Sequence, residues 1–143
     1  MITAQQARHL RGAGLIWRPT EADRFIVPDR GMDDHVFTIS AMTVEVRDSP
    51  AGPLIAFNGV VEWALDAIER REVVWLPRED QLRERLGTTF ESLHHNGEGK
   101  WQCAIHTADQ QTVHQGETAV EAYGAAVLAL LDQANTELFD AAG

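Results

Sequence analysis

Residues 58–87 read NGVVEWALDAIERREVVWLPREDQLRERLG, and the fold class turns on how that stretch divides. Its first part has helical period. Val61, Ala64, Leu65 and Ile68 recur at i, i+3, i+4 and i+7, and Trp63 and Ala67 widen the face. Asn58 offers an N-cap oxygen, and Asp66 stands one turn before Arg70 in the orientation that favours a helical ion pair. Val73-Val74-Trp75-Leu76 then breaks the period. A run so short, β-branched and aromatic predicts a strand buried on both faces. Pro77 has its φ preset for a first helical turn. Glu79 and Asp80 follow where the helix dipole favours anions, and Arg83 and Arg85 where it favours cations. Leu82 and Leu86 supply a narrow apolar stripe, and Gly87 a left-handed stop. The stretch predicts helix, buried strand, helix.

Upstream, Thr3 with Gln6 three residues on has the form of a capping box, so a helix is expected to about Arg11, with Ala7 and Leu10 inward and Gly12 or Gly14 ending it. Leu15-Ile16-Trp17 reads as a strand, and Arg24 to Val27 as a second one after a turn. His35 to Ile39 and Thr43 to Arg47 alternate as strands. Asp48 to Gly52 is a turn, and Leu54 to Phe57 pairs back as a hairpin. If Leu54–Phe57 and Val73–Leu76 share a sheet and run parallel, the crossover between them is right-handed.

Downstream, Thr89 to Leu93 and Trp101 to Ile105 flank a hairpin loop at Asn96-Gly97-Glu98-Gly99, and Thr112 to His114 follows a polar turn. Glu117 opens a last helix with Val120, Tyr123, Val127, Leu130 and Leu131 as its apolar stripe. Ala119, Gly124, Ala125 and Ala126 let that helix lie close to a sheet. Strands and helices mix without strict alternation, which predicts an α+β fold: a mostly antiparallel sheet with about four helices packed on one face. One domain is expected over residues 1–134, with a frayed tail over 135–143.

The chain has 143 residues and a net charge of −10, enough length for a real core and the wrong sign for generic binding to nucleic acid or anionic membrane. A single cysteine excludes an internal disulfide and suits a reducing cytoplasm. The start shows no basic and apolar pattern of a secretory signal, and no apolar run approaches the ~20 residues that span a bilayer.

Candidate chemistry gathers in the second half, where His94, His95, Cys103, His106 and His114 fall. A zinc site needs three or four converging ligands, and no CxxC, HxxxH or HExxH spacing is present. Alternation sets Cys103 with Trp101 and Ile105 on the apolar side of its strand, and His106 on the other side with Gln102 and Ala104. That separation makes a poor Cys–His dyad and a structural thiol. No GxSxG elbow occurs, and Gly97-Glu98-Gly99-Lys100 lacks phosphate-loop spacing. Asp29, Asp33 and Asp34, beside His35, form an acidic loop whose spacing matches no EF-hand. Trp17, Trp63, Trp75 and Trp101 each lie in an apolar pattern and are expected in the core.

Phe57-Asn58-Gly59, Glu62-Trp63-Ala64-Leu65-Asp66 and Trp75-Leu76-Pro77-Arg78-Glu79-Asp80-Gln81-Leu82 resemble a family of small uncharacterised proteins, chiefly actinobacterial, some of which carry a pilus-assembly label. The likeness extends to Gly14–Trp17, Asp23–Phe25, Met42–Val46 and Glu121–Gly124, nearly the whole chain. It implies a bacterial protein but no catalytic or binding residues. The expectation is a non-catalytic, acidic, cytoplasmic interaction domain with a protein partner, a homodimer being one form, and no nucleic acid, membrane or cofactor. The alternative is a metal-assisted hydrolase using His94, His95, His106 and His114 of the meander over 90–114.

Overall fold

A computed structural model describes residues 1–28, 35–39, 43–49, 52–58, 67–69 and 73–142; for 43–49, 52–58, 67–69 and 138–142 the description is of the backbone. In chain order the elements are α1 (Ala4–Gly12), β1 (Arg24–Ile26), β2 (Phe37–Thr38), β3 (Thr43–Ser49), β4 (Gly52–Asn58), β5 (Ala67–Glu69), β6 (Val74–Leu76), α2 (Glu79–Leu86), β7 (Phe90–His95), β8 (Trp101–Thr107), β9 (Gln110–Gly116) and α3 (Ala119–Ala142). The α+β class holds. Among the described residues the strands form three three-stranded antiparallel sheets and the α-helices number three, against about four expected. The chain divides into two compact units, Met1–Ile16 with Pro77–Gly143, and Trp17–Leu76.

In the unit Trp17–Leu76, one sheet has the order β2-β1-β6 and the other β3-β4-β5. The first is an aromatic layer. Phe25 lies opposite Phe37 on one side and Trp75 on the other, so these rings share a face. Trp17 lies parallel to Trp75 at 6.4 Å between ring centroids and tilted to Phe25 at 5.5 Å. The Trp17 indole N–H donates to the buried Asp23 carboxylate at 2.9 Å, and the Thr20 amide donates to the same oxygen at 3.0 Å. A carboxylate taken out of water holds only with such donors. Ile39 closes the turn by exchanging backbone bonds with Ala22 and Asp23.

Three sequence readings are corrected within the two units. Leu15–Trp17 is not a strand: the Leu15 amide bonds the Leu10 carbonyl and the Gly14 amide the Arg11 carbonyl, a Schellman end to α1 with Gly14 at φ +108°. The helix expected over Asn58–Arg70 fails at both ends, because Asn58 ends β4 and Ala67–Glu69 is strand β5. Ile68 fits a helical stripe and an alternating strand equally, and pairing opposite Ile55 decides for the strand. Residues 59–66 and Arg70 of that reading lie outside the described residues, as does the acidic loop Asp29–Asp34. Third, β4 and β6 belong to different sheets, so the proposed crossover does not arise.

In the other unit, α3 lies on the β7-β8-β9 sheet, with α1 and α2 packed against α3. Thr3 caps α1 by accepting the Gln6 amide at 3.1 Å, and Ala7 and Leu10 are buried. The Gln6 side chain does not reach back to Thr3. Its amide nitrogen donates to the Glu121 carbonyl of α3 at 2.8 Å. Pro77 stands one residue before the N-cap of α2 instead of inside the helix. Arg78 is the cap, and its N–H donates to the Gln81 side chain at 2.9 Å. Leu82 and Leu86 are buried as expected; Gly87 has a positive φ of +55° but a ψ of −133°, so it is not the left-handed stop expected, and it opens a single 3-10 turn. Thr118, not Glu117, caps α3, exchanging side-chain-to-amide bonds with Glu121. The segment expected as a frayed tail continues α3 to Ala142, and Asn135 donates to the Ala13 carbonyl at 2.9 Å.

Trp75 is buried at the register position opposite Phe25 and against Trp17. Trp75→Ala is expected to lower unfolding stability by about 3–5 kcal/mol, as deletion of a large buried aromatic does; a urea midpoint unchanged from the parent chain would contradict this packing.

Candidate functional site

Strand register sorts the chemistry-bearing residues of the meander by face, since residues directly opposite one another in antiparallel strands share a side. Phe90, Leu93, Cys103, Ile105, Thr112, His114 and Gly116 face α3. Phe90 meets Tyr123 of α3 at 5.9 Å between centroids, and Arg83 of α2 lies over the Phe90 ring at 3.4 Å. A methyl group at Gly116 would stand 2.5 Å from the Ala122 nitrogen, so glycine there sets how closely α3 approaches. Gly124, expected to meet a sheet, instead accommodates Gln6 of α1: a Cβ there would lie 2.7 Å from its amide.

The four histidines divide two and two. His95 pairs with Trp101 and His114 with Cys103, on the α3 side. His94 pairs with Gln102 and His106 with Gln111, on the opposite side. His95 packs edge-on against Trp101 and accepts the Gly97 amide at 3.2 Å. His114 is half-buried, which lowers its pKa, and its Nε2 lies 2.9 Å from the Thr112 hydroxyl. Among the described residues no three His, Cys, Asp or Glu side chains group as a metal site. Cys103 is fully buried, and burial pushes its thiol pKa up to about 11, against a small opposing pull from Arg83. At neutral pH it is a thiol, not a thiolate nucleophile.

The side away from α3 is solvated. His94, His106, Gln111, Gln115 and Ser92 are exposed there, with Val113 half exposed between them. One constellation on this face escaped the sequence. The pairing shifts between Phe90 and Ser92, and the extra residue in the strand is Glu91. A bulge of this kind re-aims a side chain. The Glu91 carboxylate lies 3.0 Å from His106 Nδ1 and also accepts from the Gln111 amide, so it ties all three strands together. The Gln111 bond first, then the His106 bond, lowers the Glu91 pKa from its ordinary 4.5. A carboxylate lowered in this way adds stability above that value, and the contribution is lost as pH falls through the folded pKa. The sequence carries only a trace of the bulge: Phe90 and Leu93 stand three apart, so a regular strand would send them to opposite sides, and the extra residue brings both to the α3 side, but nothing there names His106 or Gln111 as partners of Glu91.

A polar groove of about 340 Å³ lies where the first turns of α1 and α3 meet the end of β9, with Thr3, Gln6, His9, Lys100 and Gln115 on its walls. Lys100 is already engaged by Glu117 at 3.2 Å. The Gln6 Oε1 is buried without a hydrogen-bond partner. Small-molecule pockets are mostly apolar and enclosing, and this groove is neither. No known protein family, curated protein or solved structure matches the chain. No helix among the described residues is long and apolar enough to cross a membrane.

Two outcomes check this geometry. The Glu91 carboxylate is expected to titrate below 4.5 by NMR and to move up toward that value in Gln111→Ala; identical midpoints in the two proteins would contradict the hydrogen bond. Cys103 is expected to stay unmodified by a thiol reagent at pH 8 in the native protein and to react fully in denaturant; rapid native labelling would contradict its burial.

Proposed function

We propose that this protein is a non-catalytic interaction domain that binds a protein partner through the open side of the β7-β8-β9 sheet. The observation that carries the reading is the contrast between the two sides of that sheet: α3 covers one, and the other presents Val113 and exposed polar side chains, with Glu91 as the carboxylate among them. Tyr123, Val127 and Ile105 fill the covered side, so the solvated side is spare for recognition. The net charge of −10 favours a protein surface over nucleic acid or anionic membrane, and suits a cytoplasmic setting. The same reading takes the chain as bacterial, related to the small actinobacterial proteins it resembles, with no activity carried over from their label. A metal-assisted hydrolase would need imidazoles that converge, and strand register sends His94 and His106 to one side and His95 and His114 to the other.

A photo-cross-linking residue at position 113 in the native host tests this, with position 98 in the exposed hairpin loop as control. Discrete protein adducts are expected from position 113 and not from 98. Adducts from neither, or equally from both, would remove the interaction reading.

A further inference from the structure

We infer that the partner of this sheet is a second copy of the chain, joined edge to edge through β9 in a two-fold antiparallel pair centred on Val113. The inference rests on the interaction reading above, places the contact at the β9 border of that open side, where Gln111, Val113 and Gln115 are exposed, and names its partner. Three observations carry it.

The first is an asymmetry between the two edges of the sheet. In the order β7-β8-β9, β7 and β9 are both edge strands. Edges that stay unpaired are usually blunted by bulges, charges or proline. β7 is blunted by its bulge and by the charge of Glu91. β9, Gln110-Gln111-Thr112-Val113-His114-Gln115-Gly116, has an unbroken register with β8, no proline and no Lys, Arg, Asp or Glu.

The second is electrostatic. In a chain of net charge −10, most copy-to-copy contacts set like charges together. β9 is neutral from Gln110 to Gly116, so two copies meet along it without that repulsion.

The third is the direction of the backbone groups. Thr107 and Gln110 close a two-residue hairpin around Ala108-Asp109 and form its hydrogen-bonded pair. By alternation Thr112 and His114 also turn their amides toward β8, and Gln111, Val113 and Gln115 turn theirs outward. Their side chains are exposed, and among the described residues β9 pairs with β8 alone. A two-fold axis at Val113 sets Val113 beside the second copy's Val113 and Gln111 beside its Gln115. Every outward N–H and C=O then finds a partner. A register one residue away leaves some of them unused. The half-exposed Val113 gains an apolar neighbour, and Gln111, whose amide nitrogen is held by Glu91, turns its side-chain carbonyl to the second copy's Gln115 amide. Just past the strand ends Asp109 comes opposite the second copy's Glu117, a carboxylate engaged by its own Lys100, so added salt strengthens the pair. One strand edge is smaller than the standard protein interface, so the dimer dissociates on dilution.

Sedimentation equilibrium from low micromolar to high micromolar concentration, with amide exchange by NMR at both ends of the range, tests this. The expected mass rises from one chain to two. Exchange at Gln111, Val113 and Gln115 slows by about tenfold or more with concentration, while Thr112 and His114 do not change. Val113→Pro removes an outward N–H and no ladder bond, and Val113→Lys places like charges on the axis. Each is expected to hold the mass at one chain, with a native far-UV spectrum showing that the variant folds. A parent chain of one mass at every concentration would overturn the proposal. So would a dimer that persists in both variants, or protection that lacks the alternation. If the parent stays monomeric while position 113 still cross-links another protein, the interaction reading stands and the second copy is excluded as its partner.

Discussion

Gly116 has no side chain, and the placement of α3 depends on that. A methyl group there would collide with the backbone of Ala122 and with Glu121. With hydrogen in its place, α3 lies close to the sheet, Tyr123 reaches Phe90, and Cys103, Ile105 and Val127 close into one apolar layer. Gly124 repeats the device one helix further out. It admits the Gln6 amide, and the bond from Gln6 to the Glu121 carbonyl locks α1 to α3. Arg83 of α2 completes the layer by covering the Phe90 ring. Interiors packed at crystal density leave no room for an extra carbon at either point.

Once α3 occupies one side of the meander, the other side can only be solvated or bound. Its composition suits both. Glu91, His106 and Gln111 form a polar clamp across three strands, which holds the sheet together without an apolar layer beneath it. The clamp also leaves the sheet lopsided. The strand that supplies Glu91 is bent and charged at its edge, and the strand that supplies Gln111 is regular and neutral. The reactive-looking residues are spent on structure: Cys103 as buried packing, His114 as a half-buried imidazole beside Thr112, and His95 as an edge contact for Trp101.

Some elements were legible because local chemistry and tertiary context agree at those positions. Thr3 caps α1, Leu82 and Leu86 face inward from α2, Val74–Leu76 is a fully buried strand, and the Asn96–Gly99 loop joins a hairpin. The two-face reading of Trp101–His106 also carried through, because alternation along an extended strand is geometric. Asn58–Arg70 misled because Ile68 and Ala67 satisfy two periods at once, and only the free edge of β4 selects between them. Leu15–Trp17 misled for a different reason. Its apolar residues look like a strand, yet the Leu15 amide is committed to the end of α1 and the Trp17 indole to Asp23.

By itself the sequence determined the α+β class, the Thr3 cap of α1, the burial of Cys103 and Trp75, and the faces of β8. Each of these follows from spacing and residue type within about ten positions along the chain. Only the tertiary structure decided that Glu91 sits in a bulge against His106, that Gly124 serves α1, that the four histidines divide between opposite faces, and that β9 is left as a regular neutral edge. Those outcomes depend on which strand lies beside which and in what register, and pairing between residues far apart in the chain leaves no periodic mark in either segment.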